Sequence, residues 1–271
     1  MRQTTPLQGV IFAAIVGAAA GSAAAWAEDS SMRFSGDNHV PAQMIAPAGF
    51  ADESATRPRD IRLRAVVFRA WEDAVATWKG LIGGRALEIG AVNLRFVDRL
   101  SPTNCYGLYA GEGPVYCSGN LTVFIGTEAA DRLLVKLGPH GGAGITFLVG
   151  HEIGHHIQNV HGRFRYLKGM IRSDPGNMID AIRRFELEAD CLAGVWIRAS
   201  KSWSTSRRFK IDIMAALKTI GDDSLGGPSM DDQTPTAAAV HGTSQQRARW
   251  FIRGMKSGDL RACNTFRTPN L

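Results

Sequence analysis

No two of the four cysteines are spaced as CxxC, so the paired-thiolate signature of a structural zinc ribbon or finger is absent. Nor is there a block of like charge. The net charge of +6 is spread along the 271 residues, and the one basic strip, Arg163, Arg165, Lys168 and Arg172, comes without a nucleic-acid recognition motif. It reads as solvated surface, and no nucleic-acid partner is expected. The only extended apolar run, Val10 to Ala25, is short for a membrane span. No internal repeat occurs, which argues against solenoids and propellers. With 45% hydrophobic and 21% charged residues, the composition is that of a soluble globular protein, and the length supports one domain of about 200 residues plus extra segments.

The N-terminus has the pattern of an export signal. Arg2 is the only charge before Glu28, the apolar run follows, and Ala25-Trp26-Ala27 offers small residues where a signal peptidase cuts. Residues 1–27 are expected to be removed, which makes the protein secreted or periplasmic. An uncleaved segment would instead anchor it to the membrane. Residues 28–60, rich in Ser, Pro, Ala and Asp, read as a flexible linker. That leaves 61–271 as the folded domain.

Export makes four cysteines a disulfide question. Cys105, Cys117, Cys191 and Cys263 allow three pairings. Cys105 and Cys117 bracket a Gly/Pro-rich loop and form the natural local pair, leaving Cys191 with Cys263. Loop entropy gives the short bridge roughly 3 kcal/mol and the long one about 4.

Periodicity predicts an α+β domain with more helix than sheet. Ile61, Val67, Trp71, Val75 and Trp78 fall near helical spacing. Val92, Leu94 and Phe96 alternate with polar residues, and Leu121, Val123 and Ile125 alternate likewise, as strands do. Helices are expected from Ala143 onward, over Asn177 to Ala199 after the Asp174-Pro175-Gly176 break, near Phe209 to Ile220, and near Ser244 to Lys256.

The chemistry concentrates in GHEIGHH, residues 150–156. Val149, Ile153, Ile157 and Val160 make an apolar helical stripe. His151 and His155, four apart, share a different face and can bind one metal ion. Glu152, about 100° further round, can reach an activated water without being a ligand. This is the HExxH arrangement of zinc peptidases. His156 points elsewhere and reads as a supporting or structural residue. A core helix whose histidines bond to carbonyls is the bland alternative. It would leave two imidazoles and a carboxylate to find partners in an apolar setting, where a zinc ion supplies one.

A catalytic zinc takes three protein ligands and keeps a fourth position open. His161 has the spacing of the pattern HExxHxxGxxH, but Gln158 stands where that pattern needs glycine to turn the chain. If the helix continues, His161 lies about 9 Å along the axis and off the ligand face. Glu186, in FELEADCLAG, is favoured instead. Asp190 lies one turn on, placed to accept the Nδ1–H of a ligand histidine, His151 by preference. Glu188 faces another way and is the weaker choice.

HEIGHHIQN, ELEADCLAGVW, HGTSQQRARWFIRGMKSGD and CNTF, in that order over roughly residues 61–267, resemble the bacterial neutral zinc metallopeptidases of the YpfJ type. The resemblance implies a zincin-like domain in which His151, His155 and Glu186 bind one Zn2+ and Glu152 is the base. It also implies that Cys191 and Cys263 are the family's later cysteines. Three departures stand out: His161 replaces an aliphatic residue, SGNLTVFIG lacks expected acidic residues, and the N-terminus looks like a signal rather than an internal span.

The resulting expectation is a zinc-dependent endopeptidase acting on peptides or proteins. A non-catalytic zinc-binding protein of the cell envelope is the alternative, against which the intact Glu152 argues. His241, just before the Thr243-Ser244 helix start, reads equally as a donor to a tetrahedral oxyanion or as a capping residue.

Overall fold

The computed structural model describes residues 50–51, 58–100, 113–224 and 240–271. The expected signal segment 1–27, most of the 28–60 linker, and Cys105 lie outside them.

Helix α1 (Pro58–Leu81) opens with proline in its first turn, where the missing N–H costs nothing. It buries Leu63, Val67, Ala70, Trp71, Ala74, Val75 and Trp78, the three- and four-residue spacing of one helix face. Ile61 was expected on that face but is 55% exposed; it sits in the first turns, where Leu63 takes the inward position. Short helix α2 (Ala86–Gly90) leads into β2 (Asn93–Val97). Strands β1 (Phe50–Ala51), β2, β3 (Val115–Cys117) and β4 (Thr122–Gly126) form one sheet in the order β1-β2-β4-β3. The β1–β2 and β2–β4 pairs are parallel and β3–β4 is antiparallel. Every residue of β4 is buried, because it is central in the sheet and covered on its faces. The alternation expected around Leu121 therefore gives way to a strand buried along its whole length, Thr122 included.

Helix α3 (Thr127–Leu137) precedes the central helix α4 (Gly141–Val160). α4 is buried on nearly every side. It packs against α1, α3, α6 (Met178–Ala199) and α7 (Arg207–Ile220). Helix α5 (Arg163–Ser173) follows a left-handed Gly162 at φ 73°, a conformation glycine adopts without Cβ strain. Helix α8 (Ser244–Ser257) starts with a capping box between Thr243 and Gln246.

α6 and α8 approach so closely that a Cβ on Gly254 would stand 1.9 Å from the Cys191 carbonyl oxygen, and one on Gly194 2.1 Å from that of Phe251. Only glycine permits this crossing. Cys191 on α6 is disulfide-bonded to Cys263 beyond α8, as expected. The 72-residue separation corresponds to about 4 kcal/mol of loop entropy removed from the unfolded chain. Cys117 is also disulfide-bonded; Cys105, its expected mate, lies outside the described residues.

One surface reading needs correction. Arg163, assigned to a solvated basic strip, is 8% exposed. Its guanidinium turns inward onto Glu188, because a buried carboxylate needs a partner. Among the described residues no helix is long and apolar enough to cross a membrane.

Candidate metal centre

Two glycines in GHEIGHH set the geometry. A Cβ on Gly150 would meet the Trp196 ring at 2.4 Å, and one on Gly154 would meet the Ala189 carbonyl oxygen at 2.9 Å. Without side chains at these positions α4 lies flush against α6. Glu186 on α6 then reaches His151 and His155 on α4.

The three ligating atoms form a small triangle. His151 Nε2 is 3.1 Å from Glu186 Oε2, His155 Nε2 is 3.3 Å from it, and the two Nε2 atoms are 3.1 Å apart. Zinc bonds of about 2.0–2.1 Å place ligand atoms about 3.3 Å apart around a tetrahedral ion, so the triangle fits one face of such a polyhedron. All three side chains are buried.

The other ring nitrogens decide the chemistry of that triangle. His151 Nδ1 donates to Asp190 Oδ1 at 2.7 Å, and Asp190 receives Arg247 Nε and Nη2, both at 2.9 Å. His155 Nδ1 is 2.7 Å from Gln158 Oε1. With both Nδ1 protons committed, both Nε2 atoms present lone pairs beside a carboxylate oxygen. Three acceptors this close repel unless a cation lies among them.

The electrostatics describe the same cluster with a proton where a metal ion would sit: the surrounding carboxylates favour a positive charge among the three atoms. Burial is the largest influence on His151 and opposes its charge. Hydrogen bonds to Asp190 and Glu186, with the surrounding carboxylates, outweigh it and push the ring up to about 10. His155 is raised against burial by Glu186. Burial likewise works against ionisation of Glu186, yet the two histidines hold its carboxyl well below the usual range. A buried cluster that favours positive charge on its nitrogens and negative charge on its carboxylate has the field of a cation site.

Glu152 stands apart from this triangle. Its Oε2 accepts the Tyr116 backbone N–H at 2.7 Å, so edge strand β3 anchors it. Burial raises its carboxyl, the direction that suits a proton acceptor at neutral pH. Tyr116 also donates its hydroxyl to His156 Nδ1 at 2.9 Å, while His156 Nε2 faces the Glu88 and Ile89 carbonyls. His156 is thus a structural residue tying β3, α2 and α4 together, and burial pushes it down to about 4.

His241 reaches the edge of the site. Its Nε2 is 4.0 Å from Glu186 Oε2 and its Nδ1 is 3.6 Å from Asp222 Oδ1, too long for hydrogen bonds. At 32% exposure its side chain is open to a molecule entering the site. Asp222 holds this loop by accepting the Gly242 N–H at 2.7 Å.

His161 ends α4 as its C-terminal cap. It is not among the described residues that cluster as possible ligands: His151, His155 and Glu186 alone have ligand atoms within 4.8 Å of one another. Glu188 binds Arg163 instead. Arg247, Tyr116 and Asp222 were not picked out from sequence. Arg247 and Tyr116 lie 57 and 36 residues from the carboxylates they touch, and no local pattern announces such contacts.

A family model described as "Putative neutral zinc metallopeptidase" matches residues 9–266. Uncharacterized protein YpfJ of Escherichia coli K12 is 35% identical over 171 residues, 62% of this chain and 58% of the relative. Uncharacterized protein Rv2575 of Mycobacterium tuberculosis H37Rv is 30% identical over 225 residues, 79% of this chain and 73% of the relative. The match thus spans less than two thirds of the E. coli protein's length. No solved structure matches significantly.

Proposed function

The chain belongs to the neutral zinc metallopeptidase family, and from that premise we propose that it is a zinc-dependent endopeptidase hydrolysing peptides or proteins. The observation that carries the reading is the triangle of His151 Nε2, His155 Nε2 and Glu186 Oε2, with both Nδ1 protons directed away from it. These three residues would hold one zinc ion. The ion supplies Lewis acidity that activates water and polarises a peptide carbonyl.

The protein's own groups do the rest. Glu152, anchored by the Tyr116 N–H, accepts the proton of the attacking water and returns it to the leaving amine. Asp190 holds the His151 ring with its proton on Nδ1, and Arg247 keeps Asp190 ionised. Burial excludes competing water from the carboxylates. His241, on a loop at the rim, is placed to donate to the oxyanion that forms on the carbonyl.

The test is hydrolysis of a peptide library by the full chain, with zinc content measured and a chelator arm included. Zinc-dependent cleavage supports the reading; a zinc-loaded protein that cleaves nothing contradicts it. Export belongs to the same proposal, on the strength of the N-terminal signal pattern. Mass spectrometry of protein from its host should find a chain beginning at Glu28, and a full-length chain held in the membrane would refute cleavage.

A further inference from the structure

The two histidines are held by different devices. His151 leans directly on a carboxylate, Asp190. His155 leans on an amide, Gln158, which is 1% exposed and sits less than one turn further along α4. The Gln158 amide nitrogen donates to the Phe185 carbonyl at 2.8 Å and to Glu188 Oε2 at 2.9 Å. Glu188 in turn receives Arg163 Nε at 3.0 Å and Nη2 at 2.6 Å.

This chain of contacts fixes the Gln158 orientation. Its nitrogen faces two acceptors, so its oxygen must face His155. An amide oxygen only accepts, which obliges His155 Nδ1 to carry the proton and leaves the Nε2 lone pair turned toward His151 and Glu186. Both devices end in a carboxylate–guanidinium pair, Asp190–Arg247 and Glu188–Arg163. Each pair adds one negative and one positive charge, so neither changes the net charge around the triangle.

We propose that Gln158, Glu188 and Arg163 form a positioning relay for His155. It locks the ring's tautomer and rotation from α4, α6 and α5 together, as Asp190 and Arg247 do for His151. The inference rests on the reading of His155 as a zinc ligand. It gives a role to three residues that the sequence pattern leaves without one: the glutamine in place of a glycine, the carboxylate next to the ligand glutamate, and a buried arginine. A clamp that merely joined the three helices would not need the ring nitrogen of a ligand histidine at its end.

Zinc affinity, measured by competition with a chelator, and the visible spectrum of the cobalt-substituted protein test it in the full chain. Gln158→Leu keeps the volume and removes the acceptor. It should weaken zinc binding 10- to 100-fold, the usual loss when a histidine ligand's supporting partner is removed, and alter the cobalt bands. The double exchange Gln158→Glu/Glu188→Gln keeps an acceptor for His155 Nδ1, the hydrogen bond between residues 158 and 188 and the total charge, and gives up the donation to the Phe185 carbonyl and one Arg163 contact. It should bind zinc within tenfold of the parent and keep the parent's spectrum. Should Gln158→Leu fail to fold, the double exchange alone decides: a folded protein with zinc binding more than tenfold weaker overturns the relay. Parent-like affinity and spectrum in Gln158→Leu, with zinc lost in His155→Ala, would also overturn it while leaving the ligand assignment standing. Parent-like zinc binding in His155→Ala would remove the assignment itself, and the relay with it.

Discussion

Removing the Arg247 guanidinium should expose how much of the site depends on one buried ion pair. Arg247 is 4% exposed and Asp190 is fully buried. Two guanidinium contacts at 2.9 Å join them, and Arg247 Nη1 also donates to the Ile220 carbonyl at 3.1 Å. Burial on its own would push Asp190 up, but Arg247 and His151 hold it low. In Arg247→Met the carboxylate keeps only His151. Breaking a buried pair by deleting one partner costs about 3–5 kcal/mol, and the orphaned Ile220 carbonyl adds about 1 kcal/mol. For a domain of this size the pair alone should lower Tm by roughly 6–20 °C. Asp190→Asn in the Arg247→Met background removes the stranded charge and should recover part of the loss. Chemical denaturation of the zinc-free protein, run as this double-mutant cycle, separates the two contributions. A loss below about 1 kcal/mol in Arg247→Met, or no recovery in the double variant, would refute the dependence of Asp190 on its guanidinium.

Glu186→Ala should purify with little zinc and no activity, Asp190→Asn should bind zinc roughly 10- to 100-fold more weakly, and His161→Ala should keep both; metal analysis showing the reverse order would favour His161 as ligand. His241→Ala should lower kcat by about 10²-fold with zinc retained, and steady-state turnover close to the parent's would leave His241 a structural role only. Burial, reinforced by Arg85 and Arg163, pushes His161 down to about 3, against about 6.5 when unfolded. The unfolded chain therefore binds the extra proton, and the stabilisation is complete above pH 6.5 and lost as pH falls toward 3. Between pH 7 and 5 the difference should be about 2 kcal/mol, and denaturation curves of His161→Gln should lack that slope; an identical slope would show that His161 is already charged in the folded protein.

The metal triangle was legible in the sequence because each part of it is a local pattern. HExxH puts two rings on one helix face, and Glu186 and Asp190 are one turn apart on another. What remained hidden depends on contacts distant in sequence. Arg163 and the exposed Arg165 are alike as letters, and only the fold brings Glu188 over the first. Strand β3, three residues long, is too short to show a period of two, yet its Tyr116 N–H anchors Glu152. Gln158 was visible only as a missing glycine. Its partners come from α6 and α5, and no helix-face argument on α4 could supply them. Ile61 was misplaced because a periodic stripe does not reveal where a helix outruns the core it covers.

The most direct test of the central claim compares Glu152→Gln with the parent in zinc content and peptide hydrolysis. Glu152 is outside the ligand triangle and is held by a backbone N–H that an amide oxygen accepts equally well. The variant should therefore retain one zinc per chain and lose hydrolysis by 10²-fold or more, the scale of a general base. Hydrolysis at the parent's rate in zinc-loaded Glu152→Gln would contradict the account.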